Sequence, residues 1–555
     1  MKPKKNNKNT VKWIYDVVGK DRKWVVMLTF IHVIQSAVSL SLAFALRNAI
    51  DSAEKGISKD FVTGVIILIS ILLFVIVLNM ISRYVDEKAR ALMEKNFRQR
   101  ILDVLIKRSY ADISSVHSGE WLNRLTSDVS VIVGAVIQII PGISGLVIRL
   151  VGAMVMLVII VPTTVYIIIP VGILMMVFSL VFRKKLKEFH KAAQAADGKS
   201  RSFIQERIAN LAVIKTFTQE DNTVARSGEY MDELIAIRMR RIRFVNLCNT
   251  MIQICMRGGY VLGVMVGGYG IINNTMTFGT MTAVLQLVTQ AEAPFSQISG
   301  YLPRYYAMLA SAERLIEIEN MPEEKNALDT PADFKSFGFE NACFSYDKPS
   351  DEESVVLQNL SLQINKGEYV AFVGESGCGK STAFKVLMCL YSLDSGKRYL
   401  TTAEGEKIDL DVQQRRLFAY VPQGNGLFNG SIREVLTFAD ADKMQNEEKL
   451  WKALEIACAD GFVKELPNGL DTILGEQGSG LSEGQEQRLS IARAIISERP
   501  VLMLDEATSA LDAATEEKLL KNLKNMTERT VVIITHRPAA LSICDKQIFF
   551  RRSED

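Results

Sequence analysis

Apolar residues crowd the first 300 positions of this chain in long runs, then give way to short alternating segments. Six runs, about 24–46, 62–82, 137–160, 163–182, 246–272 and 278–300, come near the roughly 20 residues that cross a 30 Å hydrocarbon layer. They predict an all-α transmembrane domain of six helices. The third and fourth runs are almost continuous, and Pro162-Thr163-Thr164 is the natural place for a tight turn between them. Ahead of the first run, Val11, Ile14 and Val18 share one helical face beside Trp13, while Lys12, Asp16 and Lys20 are polar. That pattern predicts a short helix lying in the membrane interface.

The loops after the second and fourth runs are long and basic, with Arg83, Lys88, Arg90 and Arg98 in one and Arg183, Lys184, Arg240 and Arg241 in the other. The stretches 162–164 and 273–277 carry no Lys or Arg. By the positive-inside rule, both termini and both long loops are cytoplasmic. The loops keep a helical period with charged faces, so the membrane helices are expected to continue beyond the bilayer. Arg149, Arg257 and Glu292 fall inside the third, fifth and sixth runs, roughly 18–24 Å from the outer ends at 1.5 Å per residue. Charges at that depth should face a cavity or one another rather than lipid.

Pro322, Pro331 and a cluster of acids break the apolar period at 319–336 and predict a linker. Beyond it Val355–Ile364 and Tyr369–Val373 read as strands and Lys380–Leu390 as a helix. Composition fits this two-part plan. The 555 residues exceed one ordinary core, and 48% hydrophobic residues beside 23% charged ones require the apolar residues to be concentrated in one part. A net charge of +3 without a nucleic-acid-reading motif argues against a nucleic-acid partner. Seven cysteines without a C-x-x-C point to reduced thiols and no zinc site. The lysine-rich start leads to the interfacial helix and lacks the pattern of a cleavable signal.

The chemistry is carried by Gly374-Glu375-Ser376-Gly377-Cys378-Gly379-Lys380-Ser381-Thr382, which fits the phosphate-cradling pattern G-x-x-x-x-G-K-[ST] and lies between a predicted strand and a predicted helix. Its glycines let backbone N–H groups point at phosphates at the positive end of the helix, Lys380 adds a charge for the β- and γ-phosphates, and Ser381 offers a hydroxyl to magnesium. Val501–Leu504 reads as a buried strand delivering Asp505 to the magnesium shell, with Glu506 next to it. Leu481-Ser482-Glu483-Gly484-Gln485 stands before that strand, at the start of a helix over Gln485–Ile496.

In this order the motifs resemble the nucleotide-binding domain of the ATP-binding cassette (ABC) transporters, over Phe337 to about Phe550. The resemblance implies an α/β P-loop ATPase domain at 337–555, after a tail and interfacial helix at 1–23, a six-span domain at 24–318 and the linker. It implies ATP and Mg2+ as cofactors. Glu506 matches the catalytic carboxylate that orients or deprotonates water, His536 the switch histidine at the γ-phosphate, and Gln423 the residue that reports the γ-phosphate and magnesium to the membrane domain. Tyr346 matches the aromatic residue stacked on adenine, and Asp512 the loop at the dimer interface. Ser482, Gly484 and Gln485 match the signature that closes over ATP held by the other subunit. Glu483 stands where the family has Gly, with a side chain expected to point outward; no role follows for Asp394–Asp411, and the family's terminal helices look short or missing after His536. Coupling helices are implied near Asp112–Ser118 and Ile208–Phe217.

The implied function is ATP-driven export of a small molecule, lipid or peptide by alternating access of a dimeric half-transporter, coupled to ATP hydrolysis. The partner is a second copy or a homologous chain, and the implied location is a bacterial inner or plasma membrane with the ATPase domain cytoplasmic. The short stretch before the first span leaves no room for a cargo-cleaving peptidase domain. Alternatives are an importer of exporter-like fold and an ATP-gated channel or regulator.

Overall fold

A computed structural model describes residues 7–162, 165–298, 300–328, 333–346, 355–424, 426–475, 480–526 and 528–551. The chain forms two compact units, one of residues 1–103 and 118–319, the other of 104–117 and 320–555.

The first unit is helical: α1 (Asn7–Val18), α2 (Arg22–Glu54), α3 (Ser58–Ile106), α4 (Tyr110–Ser114), α5 (Ser118–Asn123), α6 (Val129–Ile160), α7 (Val165–Ala209), α8 (Leu211–Thr216), α9 (Glu220–Ile272), α10 (Phe278–Ile298) and α11 (Tyr301–Glu319), with α4 and the last turn of α3 belonging to the second unit. Each of the six apolar runs falls in a long helix, namely α2, α3, α6, α7, α9 and α10. Among the described residues, the stretches holding α2, α3 and α6 are long and apolar enough to cross a membrane. Ile66, Ile69, Leu73, Ile76, Val77 and Met80 of α3 are all at least half exposed or close to it. Each would cost water roughly 1.5–3 kcal/mol to keep solvated, a load that a lipid surface removes.

Small residues let the bundle close. A Cβ on Gly152 would sit 2.3 Å from Leu40 Cδ1, and one on Gly145 would sit 3.2 Å from Ser36 Oγ, so α6 meets α2 backbone to side chain. Ser36 donates to the Gly145 carbonyl (2.9 Å), and Gln290 Nε2 donates to the Ser39 carbonyl (2.8 Å), tying α10 to α2 as well. Leu40, Ala153, Leu157, Val284 and Leu287 form the apolar centre of these three helices. The separation of the third and fourth spans occurs between Ile160 and Val165, with residues 163 and 164 outside the described residues.

The amphipathic α1 forms, and protein takes part of its apolar face. Ile14 and Val18 are buried, Trp13 meets Phe97 edge to face at 5.9 Å, and Trp13 Nε1 donates to Glu319 (2.7 Å). Trp13 thereby ties α1 to α3 and α11, while Val11 on the same face stays 42% exposed. Just before α6 the chain passes through a π-helical turn, Arg124–Asp128. Asp128 is buried there and accepts from Ser311 Oγ (2.8 Å) and Arg314 Nε (2.7 Å), while Arg124 bridges Glu120 (2.6 Å) and Glu317 (3.1 Å).

The second unit continues with β1 (Phe334–Ser345), β2 (Val355–Asn365), β3 (Tyr369–Val373), α12 (Lys380–Leu387), β4 (Ser395–Thr402), β5 (Lys407–Asp409), β6 (Phe418–Val421), β7 (Gly430–Ser431), α13 (Ile432–Leu436), α14 (Glu447–Ile456), α15 (Asp460–Glu465), β8 (Ile473–Leu474), α16 (Glu483–Ile496), β9 (Val501–Asp505), α17 (Ala513–Lys524), β10 (Thr530–Ile534), α18 (Pro538–Ser542) and β11 (Lys546–Phe549). A parallel sheet runs β11-β3-β10-β9-β6, and an antiparallel sheet runs β2-β1-β4-β5. The strands β3, β9 and β10 are nearly continuous apolar runs because both faces of the parallel sheet are buried, one of them against α12 and residues of the antiparallel sheet. Two apolar cores flank it. One holds Phe337, Phe372, Phe384 and Met503, and the other Leu489, Leu502, Leu504 and Ile533. The segment 104–117 joins this unit through main-chain pairing: Ser109 N donates to the Pro322 carbonyl (3.1 Å) and Glu324 N to the Lys107 carbonyl (3.0 Å).

Candidate nucleotide site

In an open parallel sheet the carboxyl ends of the strands share one edge, where ligands bind. Here β3 ends in the phosphate loop, β6 runs out toward Gln423, β9 ends at Asp505 with Glu506 next, and β10 leads to His536. Four separate sequence motifs thus reach one edge of one sheet.

The phosphate loop curls through Gly374, Gly377 and Gly379, the last at φ +94° as it caps α12. A Cβ on Gly374 would lie 2.4 Å from the Phe550 carbonyl and one on Gly379 3.0 Å from that of Val356, so the cradle admits glycine only. Lys380 is 6% exposed and its Nζ donates to the carbonyls of Gly374 (2.7 Å) and Glu375 (2.6 Å). Phosphate oxygens are stronger acceptors than these carbonyls, so an anion in the loop finds the ammonium already aimed inward. Ser376 and Thr382 flank this turn, and the Tyr346 hydroxyl lies 3.0 Å from Thr382 Oγ1. The Cys378 thiol is buried, 3.8 Å from Lys380 Nζ.

Ser381 Oγ donates to Asp505 Oδ1 (3.0 Å), bringing the two proposed magnesium ligands together. The Tyr420 hydroxyl donates to Asp505 Oδ2 (3.2 Å). Burial raises the Asp505 pKa above the usual carboxylate range, against the pull of these two hydroxyls. A buried carboxylate beside a serine hydroxyl that can turn its oxygen to a cation suits a divalent ion. Gln423 Nε2 donates to Glu506 Oε2 (2.8 Å), so the third proposed magnesium residue meets the proposed catalytic carboxylate. Glu506 has φ +50°, which costs a non-glycine residue about 1–3 kcal/mol. Its N–H donates to the Ile534 carbonyl (3.1 Å), which holds that backbone at the sheet edge. His536 is exposed two residues beyond.

Tyr346 is 51% exposed, with Phe344 (5.1 Å, 81°) and Tyr391 (5.4 Å, 87°) perpendicular to its ring. Edge-on neighbours fix the ring without stacking over its face.

The signature segment begins α16 two residues earlier than the sequence pattern indicates. Ser482 and Gln485 form a reciprocal capping box, Ser482 N donating to Gln485 Oε1 (2.8 Å) and Gln485 N to Ser482 Oγ (3.4 Å). Gly484 is required by crowding, since a Cβ would lie 2.9 Å from the Ala510 carbonyl. Glu483 is exposed, and with Ser482, Gly484, Arg488, Leu511 and Asp512 it lines an open concavity. Asp512 caps α17 by accepting from Thr515 N (3.0 Å).

Several supporting residues escape motif reading. Gln487 donates to Ser509 Oγ (3.1 Å) and accepts from Ala510 N (3.1 Å); Arg537 donates to the carbonyls of Ser509 (2.5 Å) and Leu511 (3.0 Å) and pairs with Glu516 (2.8 Å). Together they lock the loop before Asp512 to the signature helix and to the strand end at His536. Arg537 is betrayed in sequence only by adjacency to His536, and Tyr420 by its place two residues before Pro422.

In the first unit Arg149 Nε, Gln286 Oε1 and Glu292 Oε1 are buried without a hydrogen-bond partner among the described residues, on α6 and α10. Glu292 Oε1 approaches the position of a Gly259 Cβ on α9, and Arg257 of that helix is exposed.

A family described as ABC transporter transmembrane region matches residues 25–294, and one described as ABC transporter matches residues 357–509. The chain is 29% identical to an ATP-dependent lipid A-core flippase of Desulfotalea psychrophila, over 99% of this chain and 96% of that protein. It is 30% identical to the leukotoxin translocation ATP-binding protein LktB of Mannheimia haemolytica, over 69% of this chain and 54% of that one. In fold it resembles a bacterial Atm1-family ABC exporter with ATP bound, at TM-score 0.77 and 22% identity, covering 96% of this chain and 94% of that one.

Proposed function

Since the chain belongs to the ABC transporters, with their transmembrane region and ATPase region fused in one polypeptide, we propose that it is an exporter-type half-transporter that couples ATP hydrolysis to outward movement of an amphiphile as a dimer in a bacterial inner or plasma membrane. The observation that carries this reading is the pre-assembled edge of the parallel sheet, where Ser381 meets Asp505 and Gln423 meets Glu506 in the same chain as the helical membrane unit.

Lys380 and the loop N–H groups bind the β- and γ-phosphates. Tyr346 offers its open face to adenine. Glu506 accepts a hydrogen bond from water and orients it toward the γ-phosphate, with Gln423 fixing the carboxylate and His536 contacting the phosphate from β10. Ser381, Asp505 and Gln423 would hold magnesium, which would supply positive charge against the phosphates. Ser482 and the N-terminus of α16 supply a second anion site, which fits ATP held by another subunit's phosphate loop. A dimer then closes when both ATPs are sandwiched, and hydrolysis releases it.

The cargo chemistry follows from the orphaned atoms. A bundle that leaves one buried atom each of Arg149, Gln286 and Glu292 without a hydrogen-bond partner among the described residues keeps polar capacity for a guest. Two Arg, Arg149 and Arg257, against one Glu favour an apolar body with an anionic group. The test is ATP-dependent transport in inside-out vesicles of cells expressing the chain alone. Export requires accumulation inside, together with ATPase activity from a purified dimer. Efflux from such vesicles would mean import, and ionic current uncoupled from turnover would mean a channel.

A further inference from the structure

Just past α12 the chain runs Cys389-Leu390-Tyr391-Ser392-Leu393-Asp394, a stretch that no motif covers. Tyr391 is half-buried and is the meeting point of three aromatic rings, those of Phe344, Tyr346 and Tyr110. It stands perpendicular to Tyr346 at 5.4 Å and perpendicular to Tyr110 at 5.6 Å. Its hydroxyl lies 3.0 Å from Ser114 Oγ. Tyr110 and Ser114 are the two ends of α4, and the chain leads directly from α4 back to α3 on one side and on to α5 on the other. Asp394 secures the other side of the arrangement. Its Oδ2 accepts from both Ser345 N and Ser345 Oγ, each at 2.7 Å, pinning the last residue of β1 immediately before Tyr346.

These contacts make a short line of rings from the residue that would carry adenine to the residues that begin and end α4. We propose that Tyr391 is a positioning residue that senses whether a base is stacked on Tyr346 and passes that state to α4, while Asp394 holds Tyr346 at the right height. The inference rests on Tyr346 being the adenine platform. Two perpendicular neighbours, Phe344 and Tyr391, keep good edge-to-face geometry only while the Tyr346 plane is fixed, and a stacked base fixes it. The line is distinct from the pair Gln423–Glu506, which lies on the γ-phosphate side. Because coupling is reciprocal, any displacement of α4 must change the affinity for the base by the same factor.

The experiment compares two ligands that fill the phosphate loop, one with a base and one without. Hydrogen exchange is followed at the amides of residues 109–117 in the purified full-length dimer in nanodiscs, with saturating non-hydrolysable ATP analogue or saturating magnesium tripolyphosphate. The analogue is expected to slow exchange in α4 by about 5-fold or more beyond tripolyphosphate, the lower end of what one base stacked on an aromatic ring supplies. Tyr391→Phe should keep most of that difference, since it keeps the ring, and Tyr391→Ala should erase it while tripolyphosphate affinity stays unchanged. Equal protection by the two ligands in the unmodified protein overturns the proposal without any variant, so a Tyr391→Ala chain that fails to fold does not shelter it. Tyr346→Ala separates the two layers of the argument. If that change leaves affinity for the analogue intact, the adenine platform itself is wrong and the inference falls with it. If it weakens the analogue several-fold but Tyr391→Ala leaves the protection of α4 intact, the platform stands and the role of Tyr391 alone is overturned.

Discussion

The edge of the parallel sheet and the membrane helices hold their polar groups in opposite ways. In the ATPase unit the groups at the sheet edge are bonded to one another: Lys380 to loop carbonyls, Ser381 and Tyr420 to Asp505, Gln423 to Glu506. In the helical unit, Arg149, Gln286 and Glu292 each keep a buried atom with no hydrogen-bond partner among the described residues. Yet where α6 begins, Asp128 and Arg124 are paired with Ser311, Arg314 and Glu317 of α11. A catalytic site needs its groups held in place before the substrate arrives, whereas a site that must release cargo gains from groups that the protein alone does not satisfy. Pairing marks the sheet edge as fixed machinery, and under the proposed function the unpartnered atoms of α6 and α10 are left for cargo.

The largest effect should come from the paired side. Glu506→Gln keeps the side chain's shape and its contact with Gln423 but removes the carboxylate, and is expected to slow steady-state ATPase by about 10²–10⁴-fold while nucleotide affinity is retained. Turnover near that of the unaltered protein would show that the strained backbone at Glu506 serves something other than water activation.

Next in size is Asp128→Ala. Stranding one member of a buried ion pair costs about 3–5 kcal/mol, but the Arg314 side chain is 44% exposed and can be rehydrated, so the expected loss is nearer ~2 kcal/mol. A lowered unfolding temperature in detergent, with little change in ATPase turnover per folded molecule, is the expected reading. Arg149→Leu sharpens the contrast because it should do the reverse. Removing a charge that costs about 2.5–3.5 kcal/mol in the middle of a bilayer should leave thermal stability unchanged or higher. ATPase stimulation by dodecyl phosphate should fall several-fold, while dodecyltrimethylammonium, tested beside it, stimulates neither protein. Stability loss as large as for Asp128→Ala would mean that Arg149 is a structural group like the others.

The same contrast governs what could be read from sequence. The phosphate loop, Asp505, Glu506 and His536 are legible because each follows a strand of apolar residues, and a parallel sheet brings strand ends together whatever lies between them. Boundaries were less legible where caps decide them: α16 starts at Glu483 because Ser482 and Gln485 cap each other, and α12 ends at Leu387 where the pattern would run to Leu390. The periodicity of α1 records an apolar face without saying what covers it; Glu319, some 300 residues away, supplies the hydrogen-bond partner of Trp13. Tyr391, Asp394, Gln487 and Tyr420 were invisible for the same reason. Their roles are contacts between distant segments, and no local spacing encodes them. Arg149, Arg257 and Glu292 were legible as charges out of place, but only packing shows which of their atoms are left without partners.

Glu483 gives the smallest and most discriminating comparison, because it places a charge beside an anion site without pairing it. As the first residue of α16, its carboxylate gains about 0.3–1 kcal/mol from the helix N-terminus. It also lies in the same concavity as Ser482 and Gly484, where the phosphates of a second subunit's ATP would approach. There the sign reverses, since two anions sharing one set of N–H donors repel. Glu483→Gly should therefore lower stability slightly, by about 1 kcal/mol through the lost dipole contact and the poorer helix propensity of glycine. It should also strengthen ATP-dependent dimerisation in the Glu506→Gln background, and more so at low salt than at high salt, because the repulsion it removes acts across solvent and is screened beyond about 10 Å at 0.1 M. Analytical ultracentrifugation with saturating ATP at two ionic strengths reads both quantities. Dimerisation that weakens on removing Glu483, or that gains equally at both ionic strengths, would mean that its carboxylate points away from the shared phosphate and serves α16 alone.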